Sequence, residues 1–89
     1  MMMYSARVTL NNAPHGDKPG VVVTALEGSG RAAWAERGTV AEALGSWPNW
    51  DKGRADKTLA SLGWRRIAGW TGGGGLWFAR VQLEQGLRG

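Results

Sequence analysis

Between Lys52 and Arg80 the chain places six basic residues, Lys52, Arg54, Lys57, Arg65, Arg66 and Arg80, against one acid, Asp56. The chemistry of such a set is anion binding. Guanidinium forks take phosphate or the guanine edge, and ammonium groups neutralise phosphate. The excess is local. Residues 1–44 balance four cations with four acids, and residues 45–89 hold seven against three, so the whole formal charge of +4 lies in the C-terminal half. A one-sided basic excess is the footprint of a polyanion binder. A solvated face with a modest imbalance gives the same count.

Other chemistry is scarce. His15 is the single histidine, in a Pro/Gly loop near Asp17. A His–Asp pair activates a nucleophile only when one is held beside it, and no serine has an elbow-like context. There is no cysteine, and the four ligands of a structural zinc site are lacking. Neither catalysis, metal nor cofactor is expected. Gly72 to Gly75 lets backbone amides approach an anion, but no Lys-Ser/Thr follows, so it is not a P-loop. It reads as a hairpin tip. Gly28-Ser29-Gly30 matches a dinucleotide fingerprint less well still. Trp47 and Trp50 flank Pro48 in SWPNW. One indole is expected to cap the core, and the other to stack on a base or anchor a protein partner.

The elements that must position these groups follow from periodicity. Tyr4, Ala6, Val8 and Leu10 alternate with Ser5, Arg7 and Thr9, a half-buried strand over 4–10. Turn chemistry fills Asn11 to Pro19, and GVVVTAL reads as a second strand over 20–26. Arg31 to Trp47 looks helical, broken near Gly38. Thr39 and Glu42 have capping-box spacing. Val40, Ala43, Leu44 and Trp47 then recur on one helical face, predicting a helix over 39–47. Asp51 is the N-cap of a second helix over 54–62. Gly63 is its left-handed stop, with Trp64 packing back on Leu59. Strands over 64–71 and 76–84 close the chain. In the last, Trp77, Ala79, Val81 and Leu83 alternate against Phe78, Arg80 and Gln82. The expected core is Leu44, Leu59, Leu62, Trp64, Trp77 and Val81, with most of the six tryptophans inside.

These elements make one α+β domain (1–89) of order β-β-α-α-β-β: an N-terminal β-hairpin (1–27), a helical centre (31–62) and a C-terminal β-hairpin (64–84). TVAEAL, a turn, ADKTLASLGWRR and a Gly-tipped hairpin with an aromatic return strand resemble winged helix-turn-helix proteins over residues 39–83. GSWPNWDKG is longer and more aromatic than the tight turn usual there. The ending LGW, Arg, GxW, glycine turn, WxAxV is also similar to that of small proteins of high-GC bacteria and their phages. The winged-helix resemblance implies a small, non-enzymatic, possibly regulatory protein that binds duplex DNA through Lys52, Arg54, Lys57, Arg65, Arg66 and Arg80. The alternative is a phage-type accessory module that docks on a host protein through Trp47 or Trp50. No run approaches the ~20 apolar residues of a membrane span, and no signal peptide stands out. A cytoplasmic protein is expected.

Overall fold

The computed structural model describes residues 2–13, 18–28 and 35–84. The loop residues His15 and Asp17, the dipeptide Ser29-Gly30, the start of the expected helical stretch with Arg31 and Trp34, and the tail with Arg88 lie outside them.

β1 (Met2–Thr9) and β2 (Gly20–Glu27) form the expected antiparallel hairpin, in register from Met2 opposite Glu27 to Thr9 opposite Gly20. Their alternating apolar residues, Ala6, Val8, Val21 and Val23, are fully buried. The chain then departs from the helix expected over 39–47. Residues Ala35–Leu44 form β3, an edge strand paired to β2.

TVAEAL satisfies both periods. In strand form Ala41 and Ala43 face inward and half-buried, while Glu42 and Leu44 point out. The second edge of β2 decides between them. It presents a row of amides and carbonyls that β3 pairs, and such groups must find partners. Helix propensity is a weak prior against that gain. Leu44, expected in the core, is therefore 47% exposed. Two register shifts interrupt the pairing, near Val23/Thr24 and Ala25/Leu26. Bulges of this kind twist an edge away from aggregation.

The helix expected over 54–62 is present as α1 (Lys52–Ser61). Asp51 caps it, its Oδ1 accepting from the Arg54 amide at 3.0 Å. Gly63 ends it at φ +91°, and its amide donates to the Ala60 carbonyl at 3.0 Å. Ala55 and Leu59 face the sheet and are buried.

The C-terminal hairpin is also present, with its first arm broken. β4 (Trp64–Arg66) and β5 (Thr71–Gly73) both pair with β6 (Leu76–Leu83), separated by a bend at residues 67–70. Gly74 and Gly75 make the two-residue tip with φ +63° and +94°. Two consecutive positive φ values are the signature of the type I′ turn, which glycine adopts without strain.

β1 also pairs with β6, giving one six-stranded sheet of order β3-β2-β1-β6-β4, with β5 beside β6. The observed order, β-β-β-α-β-β-β, overturns the α+β, β-β-α-α-β-β and winged-helix readings alike. Among the described residues one helix precedes the hairpin, and a helix-turn-helix needs two. Of the expected helical centre (31–62), the described residues 35–62 form a strand, a loop and one helix. The glycine tip is not a free wing either. The Leu10 amide donates to the Gly75 carbonyl at 2.8 Å, and Gly75 is buried.

α1 packs on one face, over β4 and β2. The core beneath it holds Val8, Val21, Val23, Leu59, Trp64 and Val81 together with Trp47. Leu62 and Trp77, expected inside, pack against it half-buried. Asn11 ties the Trp47 loop to the end of β1: its Oδ1 accepts from the Trp47 amide at 2.8 Å, and its own amide donates to the Trp47 carbonyl at 2.8 Å. No helix among the described residues is long and apolar enough to cross a membrane.

Candidate functional site

Strand alternation sends successive side chains to opposite faces of the sheet, and this divides the basic residues. On the helix side lie Arg66 and, on α1 itself, Lys52, Arg54 and Lys57. Register places Arg65 and Arg80 on the opposite face, with Gln82. The six residues named from charge therefore do not form one surface.

The helix-side arginines are engaged internally. Arg66 forks onto Asp56, with Nε donating to Oδ1 at 2.7 Å and Nη2 to Oδ2 at 3.1 Å. Its Nη1 donates to the Ala68 carbonyl at 2.9 Å, and the Trp70 indole donates to Asp56 Oδ1 at 3.0 Å. The hydrogen bonds from Arg66 hold the Asp56 carboxyl below its ordinary range, partial burial opposes them, and the Trp70 bond adds to the lowering. The same pairing raises the pKa of Arg66. This bracket fastens α1 to the bend between β4 and β5. The Arg54 guanidinium lies 4.1 Å from the centre of the Trp47 ring. Lys52 and Lys57 are exposed on the helix without ion pairs among the described residues.

Trp47 and Trp50, of which one was expected to cap the core and the other to meet a partner, are both built into this layer. Trp47 is 1% exposed. Trp50 is half-buried, stacked on Trp77 at 4.3 Å and 6°, and edge-on to Trp70 at 5.3 Å.

The other face is different, because no described element covers it. At its centre Arg7 of β1 stands directly opposite Phe78 of β6. Arg80 stands opposite Ser5, and Arg65 of β4 opposite Gln82. Phe78 is 41% exposed, and Arg80 is exposed. Arg7 is half-buried, and its Nε is covered yet has no hydrogen-bond partner. Val22, Leu26 and Met3 give the face an apolar floor.

Arg65 is the partnered cation here. It lies 3.9 Å from Glu84, and the Gln82 amide oxygen, turned toward it, accepts from Nε at 3.0 Å. Besides Glu84, the acids of this face, Glu36 and Glu42, sit on edge strand β3, opposite Leu26 and Val22. The face is thus cationic along β1, β6 and β4 and acidic along β3.

Two shallow depressions share Ser5, Leu26 and Phe78. One, of about 420 Å³, extends toward Arg80 and the bend at Ala68 and Gly69. The other, of about 130 Å³, extends toward Arg7, Thr24 and Glu36. Charge counting passed over Arg7 and Phe78, although alternation placed both on polar strand faces. The pairing of β1 with β6 is what joins those faces.

Among the described residues no group of three or more His, Cys, Asp or Glu side chains is placed to hold a metal. Comparison with protein-family models, with curated proteins and with solved structures finds no match to this chain.

Proposed function

We propose that this chain is a small non-enzymatic nucleic-acid-binding protein whose contact surface is the uncovered face of the sheet. One observation carries the reading. On that face an exposed aromatic ring, Phe78, sits directly opposite Arg7, with Arg80 two residues along β6, and neither arginine has an ion pair among the described residues. Aromatic and guanidinium groups together are the chemistry of base and phosphate recognition. The helix-side cations support the reading less well, because Arg66 and Arg54 already have internal partners. Lys52 and Lys57 contribute long-range attraction to a polyanion.

The test is a salt titration of binding to labelled oligonucleotides, single-stranded and duplex. Cations that neutralise phosphate release counterions, so log affinity is expected to fall linearly with log salt, by about 0.7 to 0.9 per phosphate contacted. Arg7→Ala with Arg80→Ala should flatten that slope by roughly 1.4 to 1.8 if each meets one phosphate. Lys52→Ala with Lys57→Ala should lower affinity at low salt and leave most of the slope. No binding to either nucleic acid at low salt overturns the proposal in favour of a protein partner.

A further inference from the structure

The uncovered face also says which form of nucleic acid fits it. Resting on the reading above, we propose that the ligand is a single strand lying across β1, β6 and β4, with unpaired bases stacked on Phe78. Three features lead there.

First, a base can stack on the exposed Phe78 ring only if that base is itself unstacked. In a duplex the base faces are covered by their neighbours, and a protein reads edges in the grooves instead. A flat sheet surface bearing an aromatic side chain is suited to splayed, single-stranded bases.

Second, the depressions that share Phe78 lie over the sheet as shallow, open hollows, one leading to Arg80 and one to Arg7. Each places Phe78 beside a guanidinium. A strand that stacks a base at Phe78 carries its phosphate chain past both arginines, which stand on adjacent strands about two residues apart in register. Diagonal same-face neighbours on paired strands are about 7–8 Å from one another. That reach matches neighbouring phosphates along one strand.

Third, Arg7 is held against the sheet with its Nε lacking an acceptor. The fold thus makes no bond at Nε that would draw this guanidinium away from an external acceptor at its terminal nitrogens. The charge gradient sets the path. Glu36 and Glu42 on β3 repel a phosphate chain, so the strand runs on the β6 and β4 side, where Arg80 and Arg65 stand. Ser5 and Thr24, opposite each other at the floor, are the hydroxyls within this region.

The experiment uses the full chain and fluorescence anisotropy with three probes: oligothymidylate, an abasic oligomer of equal length and charge, and a hairpin duplex. Oligothymidylate should bind roughly 5- to 150-fold more tightly than the abasic strand, the range expected for one stacked base. It should also bind more tightly than the duplex. Phe78→Leu, which keeps apolar bulk and loses the aromatic face, should abolish the difference between oligothymidylate and the abasic strand. Phe78→Tyr should retain it. The thermal midpoint of each variant checks folding. Oligouridylate run beside oligodeoxyuridylate tells RNA from DNA through the added 2′-hydroxyl.

Equal affinity for oligothymidylate and the abasic strand, or tighter binding of the duplex, overturns the single-strand proposal and leaves nucleic-acid binding standing. Absence of binding to all three probes removes both. A Phe78→Leu variant that still prefers oligothymidylate, while melting like the parent, shows that the stacking surface is elsewhere.

Discussion

The two faces of the sheet use the same residue types for opposite ends. Under α1, aromatic rings and arginines satisfy one another. Trp50 stacks on Trp77, Arg54 covers Trp47, and Arg66 and Trp70 share Asp56. On the far face, Phe78 and Arg7 stand opposite each other, and neither Arg7 nor Arg80 has an ion pair among the described residues. The difference teaches that a tryptophan or arginine count does not locate function in a small domain. A thin core recruits large aromatic side chains because each buries much area. On the proposed surface the same residue types lack those internal partners.

That contrast is sharpest in stability. Leu59→Ala, under the helix at 1% exposure, is expected to cost about 2–5 kcal/mol, as for other buried leucines. Phe78→Ala is expected to cost less than about 1 kcal/mol, in the range of surface changes, while removing binding. Chemical denaturation of both variants measures the pair. Comparable losses would show that Phe78 is part of the core.

A smaller effect concerns acid. Asp56 has its pKa lowered in the folded protein from an ordinary 3.8. The folded state therefore holds fewer protons on this group than the unfolded chain. Its contribution is present above the unfolded value and is lost as pH falls through the folded one. Asp56→Asn should flatten the acid limb of the stability curve below about pH 4. Its side chain is 38% exposed, so screening keeps the effect modest. An unchanged acid limb in Asp56→Asn would show that the bracket under the helix contributes nothing. Arg7→Gln, on the other face, should leave that limb as it is.

The smallest expected change is in Arg7→Met. It replaces a donor that has no acceptor with an apolar side chain of similar reach. Thermal denaturation should show stability within about half a kcal/mol of the parent, or slightly above it. A large loss would mean that Arg7 is bonded within the fold.

Much of this arrangement was legible along the chain, and the gaps have physical causes. The alternation of YSARVTL, GVVVTAL and LWFARVQL marked β1, β2 and β6, and Asp51 and Gly63 marked both ends of α1, because these signals are local. Residues 39–44 were not legible, since alanines at 41 and 43 satisfy a helical and an extended pattern equally. The free edge of β2 chose between them, and edges are not written locally. The bend that splits β4 from β5 lies where Arg66 turns to reach Asp56, ten residues earlier.

The candidate site was half legible. Arg80 and Phe78 were placed together on the polar face of the last strand, and Arg7 on that of the first. Their meeting depends on β1 pairing with β6 across some seventy residues, which no spacing in the sequence reports. Arg7 also lay in the half of the chain with no net charge, where a search by charge excess does not look.

The central claim is that the uncovered sheet face, not the helix, meets nucleic acid. Backbone amide shifts recorded by NMR during titration with oligothymidylate test it most directly. The account predicts perturbations grouped at Ser5, Arg7, Phe78, Arg80 and Thr24, with Lys52 to Lys57 little changed. Shifts concentrated on α1 at Lys52, Arg54 and Lys57, with β1 and β6 silent, would contradict it.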